Sequence, residues 1–399
     1  MPMKIAYVTT YDPRDVLNWS GTGHFIFNCL QEQGFQVEPI GPLPPYRAFR
    51  RHWLRAKHFW FNRICRQKFG QYSPERDHGA AKFIAQSAMA KLAGRQFDLI
   101  FSPGTIPLAY ADAPAPIVTW TDATFHGIIN SYPEYRSMTR GYYREGESLE
   151  RIALERAGLC LYSSEWAADS AIKDYGIPAS KVKVIPFGAN VSDHFSDDDI
   201  RTAISRRESG KIRLLFVGVE FVRKGGPKVL SVLENLLRLG IPAELEIMGC
   251  APEIPDALRS HTRVSGFVSK RDEQGRRKIA DAFLSAHWLI LLPSAEAYGL
   301  VFAEANRYGV PCVATQCGGI PTIIRNDVNG KLFPESAPVE DIALYLASMS
   351  RDHERYTQMA EAAYQEYRTR LNWRTSGETF AACVQTLRSR SGNAKSHGP

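Results

Sequence analysis

Two glutamates eight positions apart, Glu296 and Glu304, carry the most informative chemistry of this 399-residue chain. They lie in LILLPSAEAYGLVFAEANRYGVPCVATQCGGIPTIIRNDVNGKLFP, residues 289–334. A buried-strand run, Leu289–Leu292, ends there in a short loop that bears Glu296. The loop breaks at Gly299, and a helical pattern follows with Glu304 in its second turn. The first backbone N–H groups of that helix, near Leu300 and Val301, lack intrahelical partners and suit a phosphate. An ionised carboxylate accepts hydrogen bonds from hydroxyls. One elongated ligand with phosphates and hydroxyls satisfies both, so the layout implies a nucleotide-sugar site.

A second motif supplies countercharge. FVGVEFVRKGG, Phe216–Gly226, follows a strand run and puts Arg223 and Lys224 in the loop at its carboxyl end. A guanidinium fork beside an ammonium can neutralise the adjacent charges of a diphosphate, and Gly225 with Gly226 lets the backbone turn tightly. Read singly, such a basic pair is a solvated turn, and each glutamate is a surface carboxylate or a helix-dipole partner. Gly299, the preceding strand and the Gly318–Gly319 turn make the joint pattern specific.

Strand and helix patterns alternate through both halves, the mark of parallel α/β layers. Strands are expected at Lys4–Thr9, Gln36–Ile40, Leu99–Ser102, Ile117–Trp120, Leu159–Tyr162 and Val182–Pro186, with helices at His24–Gln33 and Glu165–Tyr175. FGANVSDHFSDDDIRTAISRRESG then reads as a polar linker. A second series begins at Ile212–Val217 and continues through a helix Pro227–Leu239, a strand Glu244–Met248, a helix near Asp272–Ser285, a strand Trp288–Leu292, a helix Leu300–Tyr308, a strand Cys312–Thr315 and a helix from Ile320. The expected organisation is an N-terminal domain 1–190, a linker 191–210, a C-terminal domain 211–370, a helix 371–390 packing back on the first domain, and a disordered tail 391–399. Such a pair of Rossmann-like halves binds ligand at the carboxyl ends of its strands.

Composition narrows the class. Hydrophobic residues make up 44% and charged residues 23%, ordinary for a globular enzyme. No apolar run reaches the ~18 residues of a spanning helix, and the first residues read as a strand rather than a leader; a cytoplasmic location is expected. The seven scattered cysteines show no metal-ligand spacing and read as reduced thiols. The net charge of +7 is concentrated: YRAFRRHWLRAKHFWFNRICRQKFG (46–70) holds eight Lys/Arg and no acid, so 7 − 8 leaves −1 for the rest. A helical wheel aligns Phe49, Trp53, Ala56, Trp60 and Ile64 on one stripe flanked by cations. Either this helix docks its stripe on its own domain, or it docks an anionic acceptor or makes peripheral contact with an anionic membrane at the inner face. No nucleic-acid-binding module surrounds it, so no nucleic acid partner is expected.

VGVEFVRKGG, VSGFVSKRDE, PSAEAYGLVFAEANRYGVPCVAT, GGIPTIIRNDVNGKLF and YSSEWAADSAIKDYGIPASKVKVIPFGAN together resemble the GT-B retaining glycosyltransferases of carbohydrate-active family four. The likeness covers most of residues 160–335. It implies an α/β GT-B fold, two Rossmann-like domains facing across a cleft, with the C-terminal helices returning towards the N-terminal domain. It further implies Glu296 on the transferred sugar, Glu304 on the ribose diol, and Arg223 and Lys224 on the diphosphate with amides near Leu300 and Val301. Phe267 and Val268 would lie along the base, and Gly21 in WSGTGHF would belong to a loop facing donor and acceptor. In TWTDATFHG, Asp122 is the candidate for a group near the donor sugar, with His126 second; the plain alternative makes Asp122 a cap or turn residue.

Two departures are visible: Val219 stands where the family often has arginine, and Asn190 where aspartate is common. The implied reaction is metal-independent retaining transfer of a hexosyl unit from a nucleoside-diphosphate-sugar to an acceptor hydroxyl on a glycan or lipid-linked sugar, in glycan, polysaccharide or glycolipid biosynthesis. It needs no cofactor beyond that donor. A nucleotide-sugar epimerase or phosphorylase of the same architecture, and a non-catalytic sugar-binding or scaffold protein, are the rival readings.

Overall fold

The computed structural model describes the chain except for residues 1, 45–47, 65, 67–69, 192–194, 208–209 and 397–399. It divides into two compact units, Met1–Ile185 with Ser376–Pro399, and Pro186–Thr375.

The first unit runs β1 (Lys4–Tyr7), α1 (Thr22–Glu32), β2 (Gln36–Pro39), α2 (Ala48–Phe59), α3 (His78–Leu92), β3 (Leu99–Ser102), β4 (Ile117–Thr121), α4 (Phe125–Ser131), α5 (Arg140–Arg156), β5 (Leu159–Tyr162), α6 (Glu165–Lys173) and β6 (Val182–Val184). Its six strands are all parallel, in the order β2-β1-β3-β4-β5-β6. Every residue of β3 and β4 is buried, as a parallel sheet covered on both faces requires. Side-chain caps start the helices: Asp77 accepts from Ala80 N–H, Thr124 from Gly127, Thr139 from Tyr142 and Ser164 from Ala167.

The last helix closes this unit. Phe380 stacks on Trp120 with ring centroids 5.8 Å apart and meets Phe101 edge-on at 5.7 Å and Phe35 at 6.0 Å. Its approach to α1 needs Gly377, where a Cβ would lie 2.7 Å from the Cys29 sulfur.

The second unit contains α7 (Asp197–Ser205), β7 (Ile212–Val217), α8 (Gly226–Arg238), β8 (Ala243–Met248), β9 (Thr262–Gly266), α9 (Glu273–Ser285), β10 (Trp288–Leu291), α10 (Leu300–Arg307), β11 (Cys312–Thr315), α11 (Ile320–Ile323), β12 (Gly330–Phe333), α12 (Val339–Arg351) and α13 (His353–Thr369). The final helix, α14 (Trp373–Ser396), starts in this unit and ends in the first. The sheet order is β12-β11-β10-β7-β8-β9, again all parallel. The chain leaves β7 towards β8 and β9, then returns to β10 on its other side. That reversal makes the carboxyl ends of β7 and β10 a topological switch point, where α/β sheets bind ligands.

Two parallel α/β units of this kind form the GT-B architecture. The interior strands lie within two residues of their expected bounds. Two strands escaped the sequence reading, β9 and β12, and they are the two edges of the second sheet. Their residues are partly exposed and mixed in polarity, so no apolar run marks them. The stretch read as a polar linker carries α7, started by a Ser196–Asp199 capping box that the run of aspartates concealed. The final helix continues through residues 391–396, the first part of the expected disordered tail, and 397–399 lie outside the described residues.

Phe380→Ala empties a fully buried aromatic site and should cost about 3–5 kcal/mol of stability by denaturant titration. A loss below about 1 kcal/mol would show that the first unit does not depend on the returning helix.

Candidate functional site

The loops after β7, β10 and β11 are packed without room for a side chain. Gly225, at φ 77°, would place a Cβ 2.0 Å from the Leu292 carbonyl oxygen. Gly318, at φ 52°, would place one 1.7 Å from the carbonyl oxygen of Glu296. Leu292 N–H donates to the Lys224 carbonyl at 3.1 Å, and Gly319 N–H to Ala297 at 3.0 Å. The glycines of both motifs therefore hold the Glu296 loop between its two neighbours.

This packing brings the charges together. Lys224 Nζ lies 2.8 Å from Glu296 Oε2, and the nearer Arg223 nitrogen 3.9 Å from the same oxygen. All three side chains are largely buried. Arg223 also donates to the Ala295 carbonyl at 2.9 Å and, through Nε and a terminal nitrogen, to Glu220 Oε2 at 2.8 and 2.5 Å. Those bonds from Arg223 hold the Glu220 carboxyl below its usual range. Burial, followed by the nearby Glu296 charge, pushes the Cys317 thiol up to about 12, so it remains protonated.

Gly299 caps α10 in the left-handed conformation, φ 89° and ψ 52°. The chain thus enters the helix with Leu300 and Val301 in the first turn and Glu304 in the second. Glu304 is only 4% exposed, and its Oε1 meets Lys270 Nζ at 2.5 Å. Lys270 also reaches the Asn190 carbonyl at 3.4 Å, while the Asn190 side chain accepts from Trp373 Nε1 at 3.1 Å. Phe267, on the same loop after β9, is 72% exposed and offers an open aromatic face; Val268 beside it is half-buried. Among the described residues, no group of three or more His, Cys, Asp or Glu is assembled for a metal ion.

In the first unit, the turn before α1 is strained. Trp19 (φ 48°), Ser20 (φ 54°) and Gly21 (φ 86°) are consecutive left-handed residues, and the two non-glycines cost roughly 1 kcal/mol or more each. The Trp19 indole N–H donates to Asp122 Oδ2 at 3.3 Å. Burial, then the Asp122 charge, pushes the Tyr11 phenol up, and the Tyr11 ring fills the space a Cβ on Gly23 would occupy. Asp122 does not cap α4; Thr124 does. His126 is held elsewhere, with Nδ1 2.8 Å from Glu147 and Nε2 3.8 Å from Asp174.

The structure thus gathers Arg223, Lys224 and Glu296 in one cluster, and Gly21 with Asp122 in another through Trp19. Sequence reasoning passed over Lys270, Glu220 and Trp19. Lys270 stood inside a quoted motif, two residues beyond Val268. Glu220 stood three residues before Arg223, a spacing that lets one turn pair them.

The family model for glycosyl transferases group 1 matches residues 197–366, and that for glycosyltransferase family 4 matches residues 26–193. A D-inositol 3-phosphate glycosyltransferase of Xylanimonas cellulosilytica is 30% identical over 227 residues, covering 53% of this chain and 52% of that protein. The chain spans about half the length of the curated relatives it matches, 52% and 53% for two of them. Sucrose-phosphate synthase from Thermosynechococcus elongatus superposes with a TM-score of 0.68 at 14% identity, over 97% of this chain and 100% of that one. Anabaena HepE in complex with UDP-glucose superposes at 0.60 and 17% identity, over 96% of this chain and 100% of that one.

Gly318→Ala tests the packing constraint against Gly240→Ala. Both positions have positive φ, but nothing lies within 4 Å of a Cβ on Gly240. Gly240→Ala should cost about 1 kcal/mol, and Gly318→Ala at least ~2 kcal/mol more, read by thermal and denaturant unfolding. Equal losses would show that the Glu296 loop yields.

Proposed function

Because this chain belongs to the group 1 glycosyltransferases, we propose that it moves a sugar from a nucleoside-diphosphate donor to an acceptor hydroxyl, with retention and without a metal ion. The observation that carries this reading is the Lys224–Glu296 pair at 2.8 Å, beside Arg223, on the loop that leads through Gly299 into α10. Cations for a diphosphate and a carboxylate for sugar hydroxyls stand side by side at a strand switch point. The UDP-glucose complex of HepE, on the same fold, supports a nucleotide sugar as the ligand class.

In the proposed reaction the bond from anomeric carbon to phosphate oxygen breaks, and the leaving diphosphate gains charge. Arg223, Lys224 and the amides near Leu300 and Val301 stabilise that charge through fixed dipoles and cations. Glu296 accepts from hydroxyls of the sugar as it acquires oxocarbenium character, and Glu304 accepts from the ribose diol. Phe267 and Val268 border the base. The acceptor oxygen attacks the face the phosphate leaves, and its proton passes to a leaving phosphate oxygen. Asp122, on the Gly21 loop's side of the first unit, is assigned to orienting the reacting sugar. The acceptor is proposed to be a glycan or lipid-linked sugar, with peripheral membrane contact through 46–70. No helix among the described residues is long and apolar enough to cross a membrane.

Donor class is read by thermal shift with uridine, guanosine and adenosine diphosphates and their sugars, since a ligand at 100 times its Kd adds about 2.7 kcal/mol to the native state. One base should raise Tm well above the others; no shift with any of them would remove the donor site. With the donor identified, Glu296→Gln should lower kcat by about 10²–10³-fold with an unchanged circular dichroism spectrum. Near-normal turnover would take Glu296 out of the mechanism. Conversion of the donor to an epimer without acceptor would sink transfer itself.

A further inference from the structure

Among the described side chains, the aromatic stripe that runs through α2 and the helical turn after it is not buried; the side chain of Phe49 lies outside them. Trp53 and Trp60 are each 55% exposed, and Phe59 and Ile64 are exposed with them. What holds the segment is its other side. Leu54 is 2% exposed, and Asn62 in the helical turn that follows exchanges two hydrogen bonds with the Tyr72 backbone, at 2.8 and 3.0 Å. The reading in which the stripe docks on its own domain is therefore corrected.

The same segment borders a cavity of about 570 Å³, lined among others by Lys57, Phe61, Tyr72, Arg140, Tyr142 and Glu145. Its walls are tied together. Gln71 N–H donates to the Ser137 carbonyl at 2.6 Å, Thr139 N–H to Gln71 at 2.8 Å, and Gly70 packs where a Cβ would be 2.6 Å from the Ser137 oxygen. Tyr142 is fixed by its phenol, which donates to Glu75 at 2.5 Å. Lys57 joins cavity and stripe: its Nζ lies 4.2 Å from the Tyr72 ring centroid inside and 5.2 Å from that of Trp53 outside.

We propose that this cavity is a headgroup subsite, taking the phosphate end of one anionic phospholipid while Trp53 and Trp60 sit among the surrounding headgroups. The inference deepens the peripheral-membrane reading above and rests on it. Three features select this occupant. The cavity carries two cations against one carboxylate, with aromatic walls that accept the glycerol and first methylenes of a lipid. The exposed stripe is rich in tryptophan, which favours the bilayer interface over water or hydrocarbon. The segment 46–70 has eight cations and no acid, which favours an anionic leaflet. A volume of this size suits one headgroup rather than a polymer.

Two measurements separate the inference from the reading it rests on. The full chain should co-sediment with vesicles of 30% phosphatidylglycerol in phosphatidylcholine and not with phosphatidylcholine alone. Its tryptophan emission should shift to the blue, and Trp53→Ser with Trp60→Ser, or Arg55→Glu with Arg63→Glu, should reduce binding at least tenfold. No sedimentation of the wild type overturns both statements. A dimer in light scattering that the double serine variant dissolves also overturns both, because the stripe would then face a second copy. Dihexanoylphosphatidylglycerol below its micelle concentration tests the cavity alone. It should raise Tm of the wild type, and Arg140→Gln with Lys57→Gln should weaken that binding about tenfold. Vesicle binding that persists while the monomeric lipid has no effect, or an equal effect on the variant, overturns the headgroup subsite and leaves the surface contact standing.

Discussion

The closest constraint in the second unit is the contact of Gly225 and Gly318 with the backbone of the 292–297 loop. Two left-handed glycines press against the carbonyls of Leu292 and Glu296 at distances no Cβ tolerates. The three loops they join leave β7, β10 and β11, which are neighbours in the sheet. Fixed strands and missing side chains thus determine where Lys224 and Glu296 stand. Their 2.8 Å separation follows from backbone packing and does not have to be found by two flexible side chains. The entropy of ordering long side chains, which usually cancels the gain from an ion pair, is reduced because their stems are already buried.

The same packing explains what could be read from the sequence. Interior strands such as LIFS and IVTWT were legible because burial on both faces leaves only apolar or small residues. The edge strands β9 and β12 were not, since one side of each meets solvent or loop. Gly225 and Gly318 were legible as glycines, but their reason was not: the need comes from a neighbouring loop roughly 70 residues away in one case and 22 in the other. Partner identity suffers most from this limit. Lys270 meets Glu304 across 34 residues and Trp19 meets Asp122 across 103, separations at which no periodicity connects two side chains. The stripe of α2 shows the converse. A helical wheel finds the stripe but has no information on which face the protein covers, and Leu54 with Asn62 settled it.

The first unit stores its irregularity at one place. Trp19 and Ser20 hold backbone conformations that non-glycine residues avoid, in the loop after β1, the strand at which that sheet's order reverses. Strain of this kind persists only where neighbours over-determine it. Here they are Asp122, which accepts from the Trp19 indole, and the start of α1, which packs against Tyr11. Phe380 of the returning helix stacks on Trp120, two residues before Asp122. The strand that presents Asp122 is therefore buttressed by a segment that arrives more than 250 residues later in the chain.

Both carboxylates assigned to the donor are already paired with lysines, Glu296 with Lys224 and Glu304 with Lys270. Leaving a single charge unpaired in a largely buried place costs about 3–5 kcal/mol, so the pairs keep the ligand-free site stable. Under the proposed function, binding is then an exchange of partners. A phosphate that draws Lys224 releases Glu296 to accept from sugar hydroxyls, and a ribose diol that engages Glu304 competes with a half-exposed Lys270. A diphosphate without a sugar would take the lysine and leave Glu296 with only the more distant Arg223, 3.9 Å away, and no hydroxyl donor in the lysine's place. A free sugar would meet a carboxylate still neutralised by its lysine. Only a ligand carrying both groups offers a new hydrogen-bond partner to each side chain whose pairing it disturbs, so the pairing that holds the empty site together also favours the intact nucleotide sugar over either of its parts.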